Sequence, residues 1–559
     1  MTARQGEVVR LSHYQQRIIE FVATGRGHGV VQATAGAGKT STLVQVAAHI
    51  PPHLRACFLA FGRDAASELS RRLPPTVAAM TVHKLGRRTL EQALRWRAVR
   101  LKKVDRGKYQ RLLRNELRGD HGLEDSERAE CEEYLSSLVN LVRLNLSDAN
   151  DDDELRRLTL RYNVVPPRAE LEPLAHRFLR TILHAGAQEA LELGLTDFTD
   201  MIYLPVTQSL TPPRFDFVCV DEAQDYSALA LAFTMRLVDE GQGGRLLFVG
   251  DPRQSIYGFA GADSEALERI ERVARATVLP LSITYRCPRS HVALAQLIAP
   301  EIEAGPAATE GKVFWIADDV LEHWAREGDM ILCRANAPLV RTCLRLVRAG
   351  RRALVRGRDL RRQLIELSRR ALAGAAPDTR RALEVFARNE EARLRRALKG
   401  RPHEEALVGD RLDLIRCLCF LAEDLTQPTE LVAPELAERI EHAFGDSQDA
   451  VILSTIHRAK GQEADRILLL YPELMPAPYA RTSDALRGEA CVQFVALTRA
   501  RHELVFVAEL GQWPLEERVP ARERPRENSG LSMEDSIGQG QGVWRDVLAL
   551  AKLLARRRG

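Results

Sequence analysis

Gly38-Lys39-Thr40 closes a run of small residues, Ala35-Gly36-Ala37, that follows the apolar pair Val30-Val31 and leads into Ser41 to Ile50, where apolar residues recur at helical spacing. Residues of these types in this order suit one task, the binding of phosphate. Small side chains let successive backbone N–H groups turn inward around phosphate oxygens, and the start of a helix adds a partial positive charge. In such a loop Lys39 reaches the β- and γ-phosphates and the Thr40 hydroxyl binds Mg²⁺. Ala33 stands where the pattern usually carries its first glycine.

A second group of chemically capable residues follows the apolar run Phe215 to Val220, which delivers Asp221-Glu222-Ala223-Gln224-Asp225. Adjacent carboxylates at the end of a buried strand can divide the work. Asp221 holds Mg²⁺ and Glu222 orients and deprotonates an attacking water. A third apolar run, Arg245 to Gly250, leads to Gln254, a polar side chain placed to sense a γ-phosphate, and to the rings of Tyr257 and Phe259, which suit core packing or base stacking. Near the start, Gln15 can offer both a donor and an acceptor to an adenine edge, though an ordinary surface glutamine is the plainer reading of the residue alone. His83 lies just after a fourth apolar segment, where a packed histidine and a ligand contact both fit.

Positioning these groups requires a sheet whose strands all present their C-terminal ends to one ligand, which is the habit of parallel α/β folds. The apolar runs at 30–31, 56–61, 215–220 and 245–250 read as its buried strands, and further runs at 330–333, 353–355, 451–455, 466–470 and 504–507 read as those of a second sheet. At 559 residues the chain exceeds a single core. The expected fold is α/β with two parallel-sheet cores, each carrying a helical insertion. The first core covers 1–86 and 195–275 with an insertion at 87–194. The second covers 276–360 and 445–510 with a short insertion at 361–444, and 511–559 forms a C-terminal tail. In that tail, residues 543–558 read as a basic amphipathic helix, suited to a partner, to DNA or to solvent.

Eighty Lys and Arg nearly balance 76 Asp and Glu, for a formal charge of +4, so net charge does not announce a nucleic-acid binder. The nine cysteines are scattered without the two-residue spacing of zinc or redox sites, and they read as reduced thiols. No apolar run is long enough to span a bilayer and no charged start precedes a signal core, so a soluble, cytoplasmic protein without membrane contact is expected.

Six motifs then fall in a recognisable order: the phosphate loop; Asp221-Glu222-Ala223-Gln224-Asp225; Gly250 to Tyr257; Thr284-Tyr285-Arg286-Cys287-Pro288; Ser454 to Glu463; and Val495 to Arg501. With these the chain resembles the UvrD/Rep-like (superfamily 1A) DNA helicases, in particular the compact branch of the F-box DNA helicase and phage-type relatives. The resemblance runs from Gln15 to about Val507. It implies two RecA-like cores that share ATP and Mg²⁺. Gln15 would read adenine; Ala35 to Ser41 with Lys39 and Thr40 would hold phosphates and metal together with Asp221 and Glu222. Gln254 would couple hydrolysis to movement, Arg286 and Arg499 would act as arginine fingers, and Glu463 would hold the nucleotide sugar. Phe61, His83, Tyr257, Phe259, Thr455 and His457 fall at or beside the family's DNA-contact motifs. The implied partners are single-stranded DNA and single/double-strand junctions, with 3′ to 5′ movement in repair, recombination or defence. The alternative is a motor subunit of a nuclease or protein-displacing complex. Two departures stand out: Ala260 where relatives often have arginine, and Arg63 where many have a polar amide.

Overall fold

The computed structural model describes residues 11–508 and 540–556, apart from 120, 163, 257–265, 374–377, 400–403, 424–426, 445–448, 479 and 481–482. It divides into two compact units, 1–283 and 284–559.

The first unit is built on a six-stranded sheet of β1 (Gly29–Ala33), β2 (Ala56–Ala60), β3 (Val77–Thr81), β4 (Phe217–Val220), β5 (Arg245–Gly250) and β6 (Thr277–Leu281). The spatial order is β3-β2-β4-β5-β1-β6, and every pairing is parallel. Because side chains alternate along a strand, Val31, Phe58, Cys219 and Leu247 point to one face, against α1 (His13–Thr24), α2 (Lys39–Ala48) and α3 (Arg63–Arg72). Val30, Cys57, Val218 and Leu246 point to the other. That face is covered by α4 (Val82–Arg95), α10 (Ala228–Met235) and α11 (Ala266–Ala274). Burial on both faces explains why these strands read as continuous apolar runs.

Between β3 and β4 lie α5 (Lys108–Leu117), α6 (Asp125–Asn145), α7 (Asp152–Arg161), α8 (Glu172–Leu193) and α9 (Asp200–Thr207). The helices α5 to α8 pack around a core of their own that includes Tyr134, Leu138, Phe178 and Ile182. A buried ion cluster ties this insertion to α9. Asp200 accepts from Lys108 at 2.6 Å, from Arg143 at 3.1 Å and from the Tyr109 hydroxyl at 2.8 Å.

β6 corrects the expected boundary at 275/276: residues 277–281 pair with β1 and complete the first sheet. Only Leu281 of the strand is buried, and Pro280 interrupts it, so no continuous apolar run marks this edge.

A short ladder of β7 (Ile283–Thr284) with β8 (Glu303–Ala304) opens the second unit. Its sheet comprises β9 (Lys312–Ala317), β10 (Met330–Cys333), β11 (Ala353–Val355), β12 (Val451–Thr455), β13 (Ala464–Leu470) and β14 (Ala500–Ala508), in the order β11-β12-β10-β13-β14-β9 and again wholly parallel. Three helices, α12 (Arg289–Gln296), α13 (Leu321–Trp324) and α14 (Asn336–Arg348), precede the insertion. The insertion itself is α15 (Arg358–Ala371), α16 (Thr379–Leu398), α17 (Glu404–Leu421) and α18 (Thr429–Ala443), and α19 (Ser483–Leu497) follows β13. The C-terminal α20 (Gly540–Arg556) packs on β9, α12 and α19. Trp544 on it is buried, with its indole N–H donating to the Pro472 carbonyl at 2.8 Å. Among the described residues, no helix is long and apolar enough to cross a membrane.

Candidate functional site

The loop after β1 has the backbone a phosphate cradle needs. Gly36 and Gly38 both lie in the left-handed region, at φ +72° and +75°, and Gly38 caps the start of α2. Alternating conformations of this kind aim consecutive N–H groups into one concavity. Ala33 is the buried last residue of β1 and has no positive φ, so the missing first glycine costs the loop nothing. The buried Thr34 hydroxyl has no hydrogen-bond partner among the described residues, an orphaned polar atom at the loop. Gln15 closes the loop from behind. Its Nε2 donates to Thr42 Oγ1 at 3.0 Å while its Oε1 accepts from the Ser12 N–H at 2.9 Å, so both ends of the amide are engaged.

At the end of β4, Glu222 adopts φ +54°, a strained conformation for a residue with a side chain. Lys39 Nζ lies 3.1 Å from Glu222 Oε2. Gln224 donates its amide to the same carboxylate and accepts the Asp251 N–H at 3.0 Å, and Gln254 Nε2 reaches Asp251 Oδ2 at 2.6 Å. Lys39, Glu222, Gln224, Asp251 and Gln254 thus form one bonded chain across the ends of α2, β4 and β5. Gly250 makes room for it, because a Cβ there would sit 2.5 Å from Gln224 Oε1.

The charges at these strand ends act on one another. Burial alone would pull Lys39 down, but Glu222, Asp251 and Asp221 outweigh it and hold the ammonium above its usual range. Asp221 moves the other way: burial and the Glu222 charge push it up to about 6, against Lys39. Two crowded carboxylates with surplus negative potential are what a divalent cation would relieve. Asp221 and the hydroxyl of Thr40, in the first turn of α2, therefore fit Mg²⁺, whose remaining ligands are ordinarily water and phosphate oxygens.

The neighbouring strand ends carry two of the nucleic-acid candidates. Phe61, after β2, is 62% exposed. His83, in the first turn of α4, packs edge-on to Phe198 at 6.0 Å between centroids. Its imidazole is held below its usual range by burial, opposed by Asp197. Tyr257 and Phe259 lie outside the described residues.

In the second unit the candidates separate. Glu463 and Arg499 immediately precede β13 and β14, whose first residues Ala464 and Ala500 pair directly. Arg286 forms an ion pair with Glu463, and Arg501 Nη1 approaches the same carboxylate at 3.1 Å. Burial works against the Glu463 charge, but these two guanidiniums more than compensate and hold it below its usual range. Arg499 is only 1% exposed and donates to the carbonyls of Gln462 at 3.3 Å and Val495 at 3.1 Å. Arg286, with a fifth of its side chain exposed, is the more accessible guanidinium. Thr455 and His457 sit at the opposite end of the sheet, where β12 finishes. Burial, with Arg334 and Arg458 adding to it, pulls His457 down to about 3, so its ring is neutral.

Several residues of these clusters escaped the sequence reading. Gln224 and Asp251 join the two acid-bearing strand ends, Thr42 seats Gln15, and Arg501 shares Glu463. Asp251 directly follows an apolar strand, the same signal that singled out Asp221, and was legible on that ground.

Two family profiles match the chain in sequence order: the UvrD/REP helicase N-terminal domain over residues 12–274 and the UvrD-like helicase C-terminal domain over 362–510. Among curated proteins, the ATP-dependent DNA helicase UvrD2 of Mycobacterium tuberculosis is 29% identical over 356 residues, covering 55% of this chain and 50% of that protein. DNA helicase II of Haemophilus influenzae is 25% identical over 48% of this chain and 37% of its own length. F-box DNA helicase protein 1 of Schizosaccharomyces pombe is 24% identical over 52% and 34% respectively. The chain thus spans half the length of the mycobacterial relative and about a third of the other two. With both profiles in order over parallel-stranded cores of the expected type, the chain belongs to the UvrD/Rep-like superfamily 1A helicases.

Proposed function

We propose that the protein is an ATP-dependent DNA translocase that separates strands, advancing 3′ to 5′ on single-stranded DNA and engaging single/double-strand junctions in repair, recombination or defence. The observation that carries this reading is the continuous chain from Lys39 through Glu222 and Gln224 to Asp251 and Gln254, beside a strand end that presents the exposed ring of Phe61.

In that mechanism the Gly36 and Gly38 loop binds the phosphates of ATP. Lys39 pairs with Glu222, and a γ-phosphate would compete for the ammonium. Glu222 is then released to orient water and accept its proton. Thr40 and Asp221 would hold Mg²⁺, which would supply charge neutralisation of the phosphates. Gln254, bonded to Asp251, carries the presence or absence of the γ-phosphate to the β5 loop. Arg286 is the proposed arginine finger, and Glu463, proposed to hold the nucleotide sugar, pairs with its guanidinium. Arg499, held by carbonyls, sets the local backbone as well as serving as a second candidate finger. Phe61, His83, Tyr257, Phe259, Thr455 and His457 are the proposed DNA contacts.

ATP hydrolysis by the purified chain, measured with and without single-stranded DNA, tests this directly. Strong stimulation and unwinding of a 3′-tailed duplex support the reading, and turnover indifferent to DNA overturns it. The motor-subunit alternative predicts stimulated turnover with little unwinding, and a stable nuclease partner in a pull-down.

A further inference from the structure

We infer that the segment from Arg95 to Arg106 is a second DNA-contact surface, separate from the strand-end track, which grips phosphates flanking that track and stacks Trp96 on a base. The inference shares the polynucleotide partner of the proposed function but not its ATP chemistry.

Six cations in this segment face one acid, Asp105. Arg95, Arg97, Arg100, Lys102 and Lys103 are all exposed, and Trp96 is 89% exposed, the most exposed of the large apolar side chains among the described residues. In a chain whose arginines are extensively ion-paired, no carboxylate lies within 4 Å of any of these five among the described residues. Asp105 does not neutralise them: it accepts the Gly107 N–H at 2.9 Å and faces Arg111 at 3.6 Å. An unpaired cationic run around a bare indole has no explanation in folding, since exposing tryptophan forgoes apolar burial and clustered like charges repel. A polyanion with stackable bases satisfies both features at once.

The segment is also held in place. The Lys102 N–H donates to the Gly194 carbonyl at 2.9 Å and the Asp105 N–H to the Thr196 carbonyl at 2.9 Å. Gly194 adopts φ +69° and a Cβ there would meet the Arg100 carbonyl at 2.1 Å, so only glycine lets the segment lie this close. Arg106 lies over the Phe198 ring at 5.3 Å, and Phe198 in turn packs on His83. The surface is therefore connected to a proposed track residue. Trp96 lies thirteen positions beyond His83 along α4, roughly 20 Å of helix rise. Phosphates at this surface belong to DNA beyond the strand held at the sheet edge.

The test compares Arg97→Ala/Arg100→Ala/Lys102→Ala and, separately, Trp96→Ala with the unaltered full-length chain, by fluorescence anisotropy without nucleotide. The probes are a short single strand, a long single strand and a 3′-tailed duplex. The triple variant is expected to lose about tenfold or more on at least one extended probe while the short strand binds normally. The slope of log affinity against log salt should fall by two to three on that probe. Loss confined to the tailed duplex assigns the surface to duplex phosphates; loss on the long strand as well assigns it to the extended single strand. Unchanged affinity and slope on both extended probes overturns the inference, as does an equal loss on the short strand, which would place these residues in the track itself. Trp96→Ala should remove the tryptophan quench that DNA produces in the parent. Since no readout requires turnover, a failed ATPase reading and a failed surface are distinguishable.

Discussion

The two sheets are alike in strand count and parallel sense, yet they distribute their candidate residues in opposite ways. In the first, everything sits along the C-terminal edge: His83 and Phe61 follow β3 and β2, and Asp221, Gln254 and the phosphate loop follow β4, β5 and β1. In the second, Glu463 and Arg499 lie where β13 and β14 begin, whereas Thr455 and His457 lie where β12 ends. The difference follows from what each group must do. A phosphate cradle needs positive-φ backbone and a helix N-terminus, which parallel sheets provide only after a strand. A guanidinium needs neither and can project from a strand's start. On the proposed function, the start of the second sheet would serve a nucleotide and its far end a polynucleotide.

The largest expected effect tests the first edge. Lys39→Ala removes the cation that faces Glu222, Asp221 and Asp251, and Glu222→Gln removes the proposed base. DNA-stimulated ATPase should fall by about a thousandfold or more in each, with unchanged circular dichroism. Nucleotide binding should weaken in Lys39→Ala and survive in Glu222→Gln. A Glu222→Gln protein that turns over normally would detach the chemistry from this edge.

Arg286→Ala probes the start of the second sheet. Fingers of this kind contribute about a thousandfold in kcat, so the loss should appear in kcat with KM for ATP little altered. Arg286→Lys should rescue poorly, because an ammonium cannot reproduce the planar fork. A loss confined to KM would make Arg286 a binding residue. Fold damage is expected to be slight, since Arg501 still neutralises Glu463.

How much of this was legible in the sequence depends on burial and on chain separation. β1, β2, β4 and β5 were legible because both their faces are covered and each carries a run of apolar residues. β6 and β9 escaped because they are edge strands, exposed in part and interrupted by Pro280 or opened by Lys312. The acids and the phosphate loop were legible as residue types at strand ends. Their assembly was not, since Lys39 and Glu222 are 183 residues apart and meet only through the strand order. The engagement of Arg499 by carbonyls and the neutral state of His457 depend on burial in three dimensions, which no local pattern encodes.

Phe61→Ala sharpens the claim that the first edge carries both functions side by side. Stacking on an exposed ring is worth roughly 1–3 kcal/mol per base. Affinity for a short single strand should fall about tenfold, while basal ATPase without DNA stays at the parental rate. A fall in basal ATPase with normal DNA affinity would show that Phe61 serves the nucleotide site.

The smallest effect concerns His457, at the far end of the second sheet. Its ring binds a proton near 6.5 in the unfolded chain but only near 3 when folded, so between those values the unfolded state holds more protons. Stability is therefore fully present above about pH 6.5 and is lost as pH falls, by up to about 1.4 kcal/mol per pH unit. His457→Gln removes that dependence, so its urea midpoint should be less sensitive than the parent's to a change from pH 7.5 to 5.5, by the equivalent of about 1 kcal/mol. The same neutrality bears on DNA. An uncharged ring adds nothing to counterion release, so His457→Gln should lower affinity through lost contact while leaving the salt slope unchanged. A slope that drops by one would mean that DNA binding protonates His457, and that this end of the sheet grips phosphate with a charge it lacks when free.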